Sequence, residues 1–134
     1  MQTFKLKIVT PEKVFYEGEA VQVIAKTQAG NIGILAGHTP YVAALVPSPL
    51  RISENGSEFK TAAVSTGVIK AERDKVTVVA GAAEWAEDID VARAQRSKER
   101  AEREIAAKTG DKEFERAEQR LKRALNRLSV SGKL

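Results

Sequence analysis

The chain has 134 residues, which is enough for one small domain with an appendage. Hydrophobic residues make up 43% of it and charged residues 30%, which provides one modest core and excludes a disordered chain. Cysteine is absent and histidine occurs once, which excludes a disulfide scaffold, a thiol nucleophile and a multi-histidine metal site. We find neither an apolar run near the roughly 18 residues of a membrane span nor the apolar core of a signal peptide. We therefore expect a chain that stays where it is made and does not insert into a membrane.

The net charge of +4 is spread unevenly along the sequence. Residues 1–88 carry 9 Lys/Arg and 10 Asp/Glu, a net charge of −1. Residues 89–134 carry 13 Lys/Arg and 8 Asp/Glu, a net charge of +5. This difference predicts two modules with different partners, and the basic one could meet nucleic acid, phosphates or an acidic protein surface.

The first module has the pattern of short β-strands. Phe4–Ile8 alternates apolar and charged residues, which is typical of a strand with one buried face. Further strand-like runs are residues 14–16, 21–25, 32–35, 41–46, 50–53, 59–64, 68–72 and 76–80. Glu17-Gly18-Glu19 separates the first two of these runs, Asn55-Gly56 predicts a type I′ hairpin, and Arg73-Asp74 predicts a second turn. Closely spaced strands and turns favour an antiparallel sandwich or barrel.

The second module has the pattern of two helices. Residues 90–108 lack Gly and Pro and are rich in Ala, Glu, Lys and Arg, and either Asp88 or Asp90 could cap their start. Gly110 fits the C′ position of this helix, and Asp111 fits the N-cap of the next, which runs to about Leu128. So short a link predicts two helices that turn back on each other or open out.

The apolar stripes of the two helices are unequal. The second helix offers large residues and the first mainly alanines, which bury little area. We therefore predict a hairpin of marginal stability that is able to detach, with a permanently packed hairpin as the alternative. The positions concerned are Phe114, Ala117, Leu121, Ala124, Leu125 and Leu128 on the second helix, and Ala94, Ala101 and Ile105 on the first.

Three local features of the sequence are candidate chemical sites. His38 lies among closely spaced glycines, but the spacing of a phosphate-binding P-loop is absent. We therefore expect a loop histidine. Beside it we expect an exposed apolar tip for docking at Ile32, Ile34 and Leu35. The acidic cluster of Glu84, Glu87, Asp88 and Asp90 fits caps and solvated charges better than a catalytic acid pair. Arginines are the third feature: Arg93, Arg100, Arg116, Arg120, Arg123 and Arg127 recur at helical spacing. They could grip phosphates, or form ordinary ion pairs such as Arg100 with Glu104.

Several segments together resemble the epsilon subunits of bacterial F-type rotary ATP synthases over the whole chain. These are Lys7–Pro11, Gly33–Pro40, Lys122–Leu128 and, most specifically, Ile89-Asp90-Val91-Ala92-Arg93-Ala94. The last is similar to the I/L-D-x-x-R-A nucleotide motif of the Bacillus-type subunits.

The resemblance implies an N-terminal antiparallel β-sandwich in residues 1–86 and a C-terminal two-helix hairpin in residues 87–134. It implies a non-catalytic subunit on the cytoplasmic face of the bacterial cell membrane. Such a subunit couples head to rotor and inhibits ATP hydrolysis through an ATP-gated hairpin. The implied partners are the gamma subunit, the rotor ring of c subunits and, when the hairpin extends, the catalytic alpha/beta head.

The resemblance also assigns residues. ATP, bound without hydrolysis and without a required magnesium ion, would be held by Glu84, Ile89, Asp90, Arg93, Ala94, Arg100, Arg123 and Arg127. The loop that approaches the rotor ring would include Asn31, Ile32, Gly33 and His38, and the acidic partner would meet Arg116 and Arg120. A small nucleic-acid-binding β-domain with a basic tail is the alternative, although only 5% of residues are aromatic.

Overall fold

The computed structural model describes residues 2–107 and 110–132. The chain forms two compact units, Met1–Trp85 and Ala86–Leu134. The described part of the first unit contains ten strands, and that of the second contains a 3₁₀ turn at Ala86–Asp88 and two helices. The fold is therefore a β-sandwich unit followed by a helical hairpin, and the predicted fold class is confirmed.

The strands follow one another with short connections, as the turn signals predict. They are β1 (Phe4–Val9), β2 (Val14–Ala20), β3 (Gln22–Thr27), β4 (Gly30–Leu35), β5 (Tyr41–Leu45), β6 (Ser48–Ser53), β7 (Lys60–Val64), β8 (Gly67–Ala71), β9 (Lys75–Ala80) and β10 (Ala83–Trp85). Along the sheet their order is β10-β7-β6-β3-β5-β8-β9-β1-β2, and β4 pairs with β3 beside this path. The short strand β10 had no signal in the sequence pattern.

One strand pair departs from the antiparallel expectation. β1 and β9 run parallel, with Leu6 opposite Val76 and Ile8 opposite Val78, whereas the other described pairs are antiparallel. The two strands are separated by most of the unit's sequence, so no hairpin fixes their relative direction. Their alternate side chains enter the common core, which contains large apolar residues from most of the strands. Its fully buried members include Leu6, Ile8, Val23, Ile34, Leu45, Leu50, Ile52, Ile69, Val76 and Val78.

Two predicted turns differ from the structure and one is confirmed. Residues 17–19 form no break, because β2 continues through Gly18, which lies opposite Leu6. The Asn55-Gly56 pair is part of a six-residue connection rather than a two-residue type I′ turn. There Asn55 Oδ1 accepts hydrogen bonds from the backbone N–H groups of Ser57 and Glu58, and Gly56 takes a φ of 87°. The Arg73-Asp74 turn joins β8 to β9 as predicted.

The helical unit contains α1 (Val91–Ala107) and α2 (Asp111–Ser131), which pack against each other. Among the predicted stripe residues Ala94, Ala101, Ala117, Ala124 and Leu128 are buried, whereas Ile105, Phe114, Leu121 and Leu125 are half-buried. Since only residues 108–110 separate the helices, they are antiparallel. The first turn of α1 therefore lies at the same end of the hairpin as the last turns of α2.

The helix ends differ in part from the prediction. Gly110, with a φ of 139°, occupies the N-cap position of α2 without a side-chain cap. Asp111 is therefore the first helical residue and not the cap, and its negative charge there suits the helix dipole. The first helix was predicted to end near Lys108 and Thr109, which lie outside the described residues. The predicted C′ role of Gly110 for that helix therefore stays a prediction. Gly132 closes α2 in the left-handed conformation, with its N–H directed to the carbonyls of Leu128 and Ser129.

Candidate functional site: an arginine-lined helical hairpin

The start of α1 is fixed by Asp90. Its Oδ1 accepts a hydrogen bond of 3.0 Å from the backbone N–H of Arg93, and its carbonyl accepts one of 3.0 Å from Ala94 N–H. This is an N-cap, so the prediction of a cap at Asp88 or Asp90 is settled in favour of Asp90. The carboxylate that the resemblance gives to ATP already has a structural task in the chain.

Two of the predicted ATP residues are buried. Ala94 is fully buried, and Ile89 is 8% exposed. Ala94 belongs to the contact with α2, where a larger side chain would force the helices apart. These two residues therefore shape the start of the hairpin, and their side chains do not form an open ligand surface in this structure.

Arginines recur immediately before the buried residues of the hairpin. Five of them precede a residue of the contact by one position: Arg93 before Ala94, Arg100 before Ala101, Arg116 before Ala117, Arg123 before Ala124 and Arg127 before Leu128. One position is about 100° around an α-helix. Each of these arginines therefore leaves its helix on the same flank of the buried stripe.

Glu104 joins the two flanks. Its Oε1 accepts a hydrogen bond of 3.0 Å from Nε of Arg100 on α1, and its Oε2 accepts one of 2.5 Å from Nη1 of Arg120 on α2. The hydrogen bonds from Arg120 and Arg100 hold the pKa of the Glu104 carboxyl below its ordinary value. Because this cluster spans both helices, Arg100, Arg120 and the arginines that precede a buried residue lie on one side of the hairpin, which we call the arginine face.

The structure brings most of the predicted ATP residues to the arginine face. Asp90 and Arg93 lie at the start of α1, and Arg123 and Arg127 lie on the part of α2 that reaches that end. Arg100 lies about 10 Å further along the axis, at about 1.5 Å per residue. Glu84 belongs to the sandwich unit, on β10 opposite Ala63 of β7.

The residues predicted for an acidic partner lie on α2 in different surroundings. Arg116 is exposed and lines a depression of ≈ 670 Å³ on the helix surface. Arg120 is bound to Glu104, and its side chain is only 30% exposed. The sequence predicted the Arg100–Glu104 pair, which is confirmed at 3.0 Å, but the link from Glu104 to α2 was missed. The four-residue spacing on α1 was visible, whereas a partner sixteen residues away was not.

The segment predicted to approach the rotor ring is a strand with a following turn. Asn31, Ile32 and Gly33 lie on β4, whose described partner is β3 alone, and Asn31 and Gly33 are exposed. The predicted exposed apolar tip is wrong at Ile34, which is only 1% exposed and enters the core, whereas Ile32 is half-buried and Leu35 is 53% exposed as predicted. In the following turn the His38 Nδ1 lies 2.6 Å from the Thr39 carbonyl, so it carries the proton and donates. His38 is a turn histidine, as expected.

Three aromatic residues of the sandwich pack on one another. The rings of Phe15 and Trp85 are 4.6 Å apart between centroids, and Tyr16 meets Trp85 edge-on at 6.0 Å. Base stacking in single-stranded nucleic-acid binders needs exposed ring faces, and these rings face each other. The nucleic-acid alternative loses its main structural basis at this cluster.

The described residues, 2–107 and 110–132, bear on metal binding and on membrane insertion. They contain no group of three or more His, Asp or Glu side chains placed to hold a metal ion. Neither described helix has the length and apolar character needed to cross a bilayer.

The fold defines a two-unit protein, a β-sandwich unit followed by a helical hairpin with an arginine face. The family model described as "ATP synthase, Delta/Epsilon chain, beta-sandwich domain" matches residues 3–86. The model described as "ATP synthase, Delta/Epsilon chain, long alpha-helix domain" matches residues 87–132. The chain therefore belongs to the ATP synthase delta/epsilon chain family.

Similar proteins agree with this assignment. The chain is 54% identical to the ATP synthase epsilon chain of Ruminococcus albus, over 99% of both chains. It is 47% identical to that of Bacillus mycoides, over 98% of both. A chain in the cryo-EM structure of the Euglena gracilis mitochondrial ATP synthase has the same fold, with a TM-score of 0.84. The match covers 96% of this chain and 81% of that chain, and the two sequences are 18% identical. The chain is accordingly a non-catalytic subunit of the ATP synthase stalk and not an enzyme by itself.

Proposed function

We propose that this chain couples the catalytic head of an ATP synthase to its rotor and inhibits ATP hydrolysis through a hairpin that ATP gates. The observation that carries the proposal is the arginine face. Arg93, Arg123 and Arg127 come from both helices and lie at the end of the hairpin where Asp90 caps α1. Guanidinium groups are the side chains that best match phosphate oxygens, because their paired N–H donors bind two oxygens at once.

In this proposal the arginines hold the phosphates of ATP, and Arg100 extends the phosphate site along α1. Asp90 serves twice, as the cap of α1 and as an acceptor for the base or ribose, and Ile89 and Ala94 shape the site from below. The residues that supply the charge are cations, so a magnesium ion is compatible but not required. Glu84, on the sandwich unit, remains a prediction of the resemblance. The bound ATP is a regulatory ligand and is not hydrolysed.

The gate follows from the small area that the hairpin buries. The buried residues of its two helices are four alanines and Leu128, and the alanines contribute less than large side chains would. A ligand that binds only the closed hairpin stabilises it by about 2.7 kcal/mol when present at one hundred times its Kd. That is enough to shift a balanced equilibrium about a hundredfold, so falling ATP would open the hairpin and release its arginines to the acidic partner.

Calorimetric titration of the isolated full-length chain with ATP, with and without magnesium, tests the site. We expect Arg93→Ala and Arg123→Ala to weaken binding strongly. Arg96→Ala is the matched control, since Arg96 is an exposed arginine of α1 that precedes no residue of the buried contact. The site is wrong if wild type fails to bind ATP, or if all three variants bind it equally.

The sandwich unit offers a surface for the gamma subunit. Val42, Val68 and Val79 are 65%, 46% and 53% exposed and lie on the neighbouring strands β5, β8 and β9, where Val68 pairs with Val79. An exposed apolar patch on adjacent strands is typical of a protein contact. We expect Val68→Glu to reduce co-purification with gamma, and Val14→Glu, at a 48% exposed valine on β2, to leave it unchanged.

The remaining contacts complete the proposal. The exposed edge of β4, with Asn31 and Gly33, and the turn at His38 meet the rotor ring of c subunits, and Arg116 and Arg120 meet the alpha/beta head. The chain thereby lies on the cytoplasmic face of the cell membrane as a peripheral part of the complex. ATP hydrolysis by the assembled complex tests inhibition: Arg116→Ala should relieve it, and an unchanged rate would remove Arg116 from the inhibitory surface.

A further inference from the structure

Glu104 is placed to control two arginines with different tasks. One of its carboxylate oxygens takes Nε of Arg100, and the other takes Nη1 of Arg120. Its side chain is 33% exposed and that of Arg120 30%, whereas that of Arg100 is 69% exposed. The link to Arg120 is therefore the more protected one.

The atoms that Glu104 uses differ between its two partners. Arg100 is held through Nε, which leaves both terminal nitrogens of its guanidinium to face a phosphate as a pair. Arg120 is held through a terminal nitrogen, which occupies one edge of its guanidinium. The same carboxylate therefore orients Arg100 for a phosphate and withdraws Arg120 from an acidic partner.

We propose that Glu104 is a positioning residue that makes these two effects conditional on the closed hairpin. The helices must be packed for Glu104 on α1 to reach Arg120 on α2, so opening the hairpin breaks that bond and exposes Arg120. Closing it orients Arg100 and withholds Arg120 in one step. The roles given to Arg100 and Arg120 rest on the proposed function.

The test compares Glu104→Gln with Glu102→Gln in the full-length chain. Both variants remove one negative charge from α1, but Glu102 is exposed and lies about 200° around the helix from Glu104. Calorimetry measures binding of ATP, and fluorescence anisotropy measures binding of a labelled polyglutamate peptide as the acidic probe. Relative to Glu102→Gln, we expect Glu104→Gln to bind ATP about two- to fivefold more weakly and polyglutamate about two- to fivefold more tightly, the range for one exposed ion pair.

The expected changes in affinity for ATP and for polyglutamate have opposite signs, which distinguishes the proposal from other effects of the substitution. A change in bulk charge would strengthen binding of both anions, and a loss of hairpin structure would appear in the far-ultraviolet circular dichroism. Equal behaviour of the two variants, or a change of the same sign for both ligands, overturns the proposal. Adding Arg120→Gln to each variant should abolish the difference in polyglutamate binding, and a surviving difference would also overturn it.

Two further arms keep the outcome clear. Glu104→Asp retains the charge but is one methylene shorter, so it cannot span both arginines, and we expect changes of the same sign and smaller size. A wild-type chain that does not bind ATP would overturn the proposed function. In that case the polyglutamate measurements still decide whether Glu104 withholds Arg120.

Discussion

The rings of Phe15 and Trp85 lie 4.6 Å apart between centroids, with their planes inclined by 31°. Phe15 belongs to β2 and Trp85 to β10, and these strands are the two ends of the sheet order. Their contact therefore closes the sheet on itself where no backbone ladder joins the ends. Tyr16 is a second aromatic residue of β2 that contacts Trp85.

Removing one ring should weaken this closure. We expect Phe15→Ala to lower the free energy of unfolding by about 1–3 kcal/mol, less than the roughly 3–5 kcal/mol of a fully buried phenylalanine, because Phe15 is half-buried. Trp85 is the only tryptophan, so its emission reports directly on the loss and should shift to longer wavelength. Urea denaturation followed by this emission measures both. Val14→Ala, at an exposed neighbour, should change neither, and an equal effect of the two substitutions would disprove the closure.

Tyr16 should titrate at unusually high pH. Burial, together with its 3.0 Å hydrogen bond to Glu54 Oε2, raises the pKa of Tyr16 from 10.0 to about 12. Because the folded state favours the neutral phenol, stability is unaffected below pH 10 and should fall as the pH rises from 10 towards about 12. Absorbance at the tyrosinate band during a pH titration checks this. Glu54→Gln should lower the Tyr16 pKa. An unchanged titration would show that the hydrogen bond to Glu54 does not contribute to the raised Tyr16 pKa.

The cap at Asp90 should stabilise the helical unit through its hydrogen bond more than through its charge. Asp90→Ala should lower the free energy of unfolding of the helical unit by about 1 kcal/mol, because the N–H of Arg93 loses its acceptor. Asp90→Asn retains a cap oxygen and should change stability little while removing the charge. Thermal unfolding by circular dichroism compares the two variants. Equal destabilisation of the two variants would contradict this prediction, because it would show that the negative charge of Asp90 stabilises the helix in addition to the cap hydrogen bond.

Gly67 should tolerate no side chain. A Cβ atom there would lie 2.1 Å from the Val79 carbonyl oxygen on β9, so the strands would have to separate. We expect Gly67→Ala to cost about 1–3 kcal/mol of stability in chemical denaturation. Gly33→Ala is the control, since its Cβ would meet only the Gln22 side chain at 3.5 Å.

The local pattern of the sequence determined most of the strands and both helices of this protein. Alternation in Phe4–Ile8 predicted β1, because side chains of a strand point to opposite faces regardless of its neighbours. The helical spacing of the arginines predicted that they share a flank of each helix, and the sequence predicted a cap at Asp88 or Asp90. These are properties of residues close in sequence, so the backbone geometry of one element suffices to predict them.

Only the tertiary structure decided which distant residues meet. The parallel pairing of β1 with β9, the contact of Phe15 with Trp85 and the bond from Glu104 to Arg120 each join residues far apart in the chain. Each depends on how many side chains pack at once, and the loss of chain entropy on closing such loops depends only weakly on their length. A single sequence therefore carries little signal for them, whereas the packed core and the hairpin contact select one partner for each.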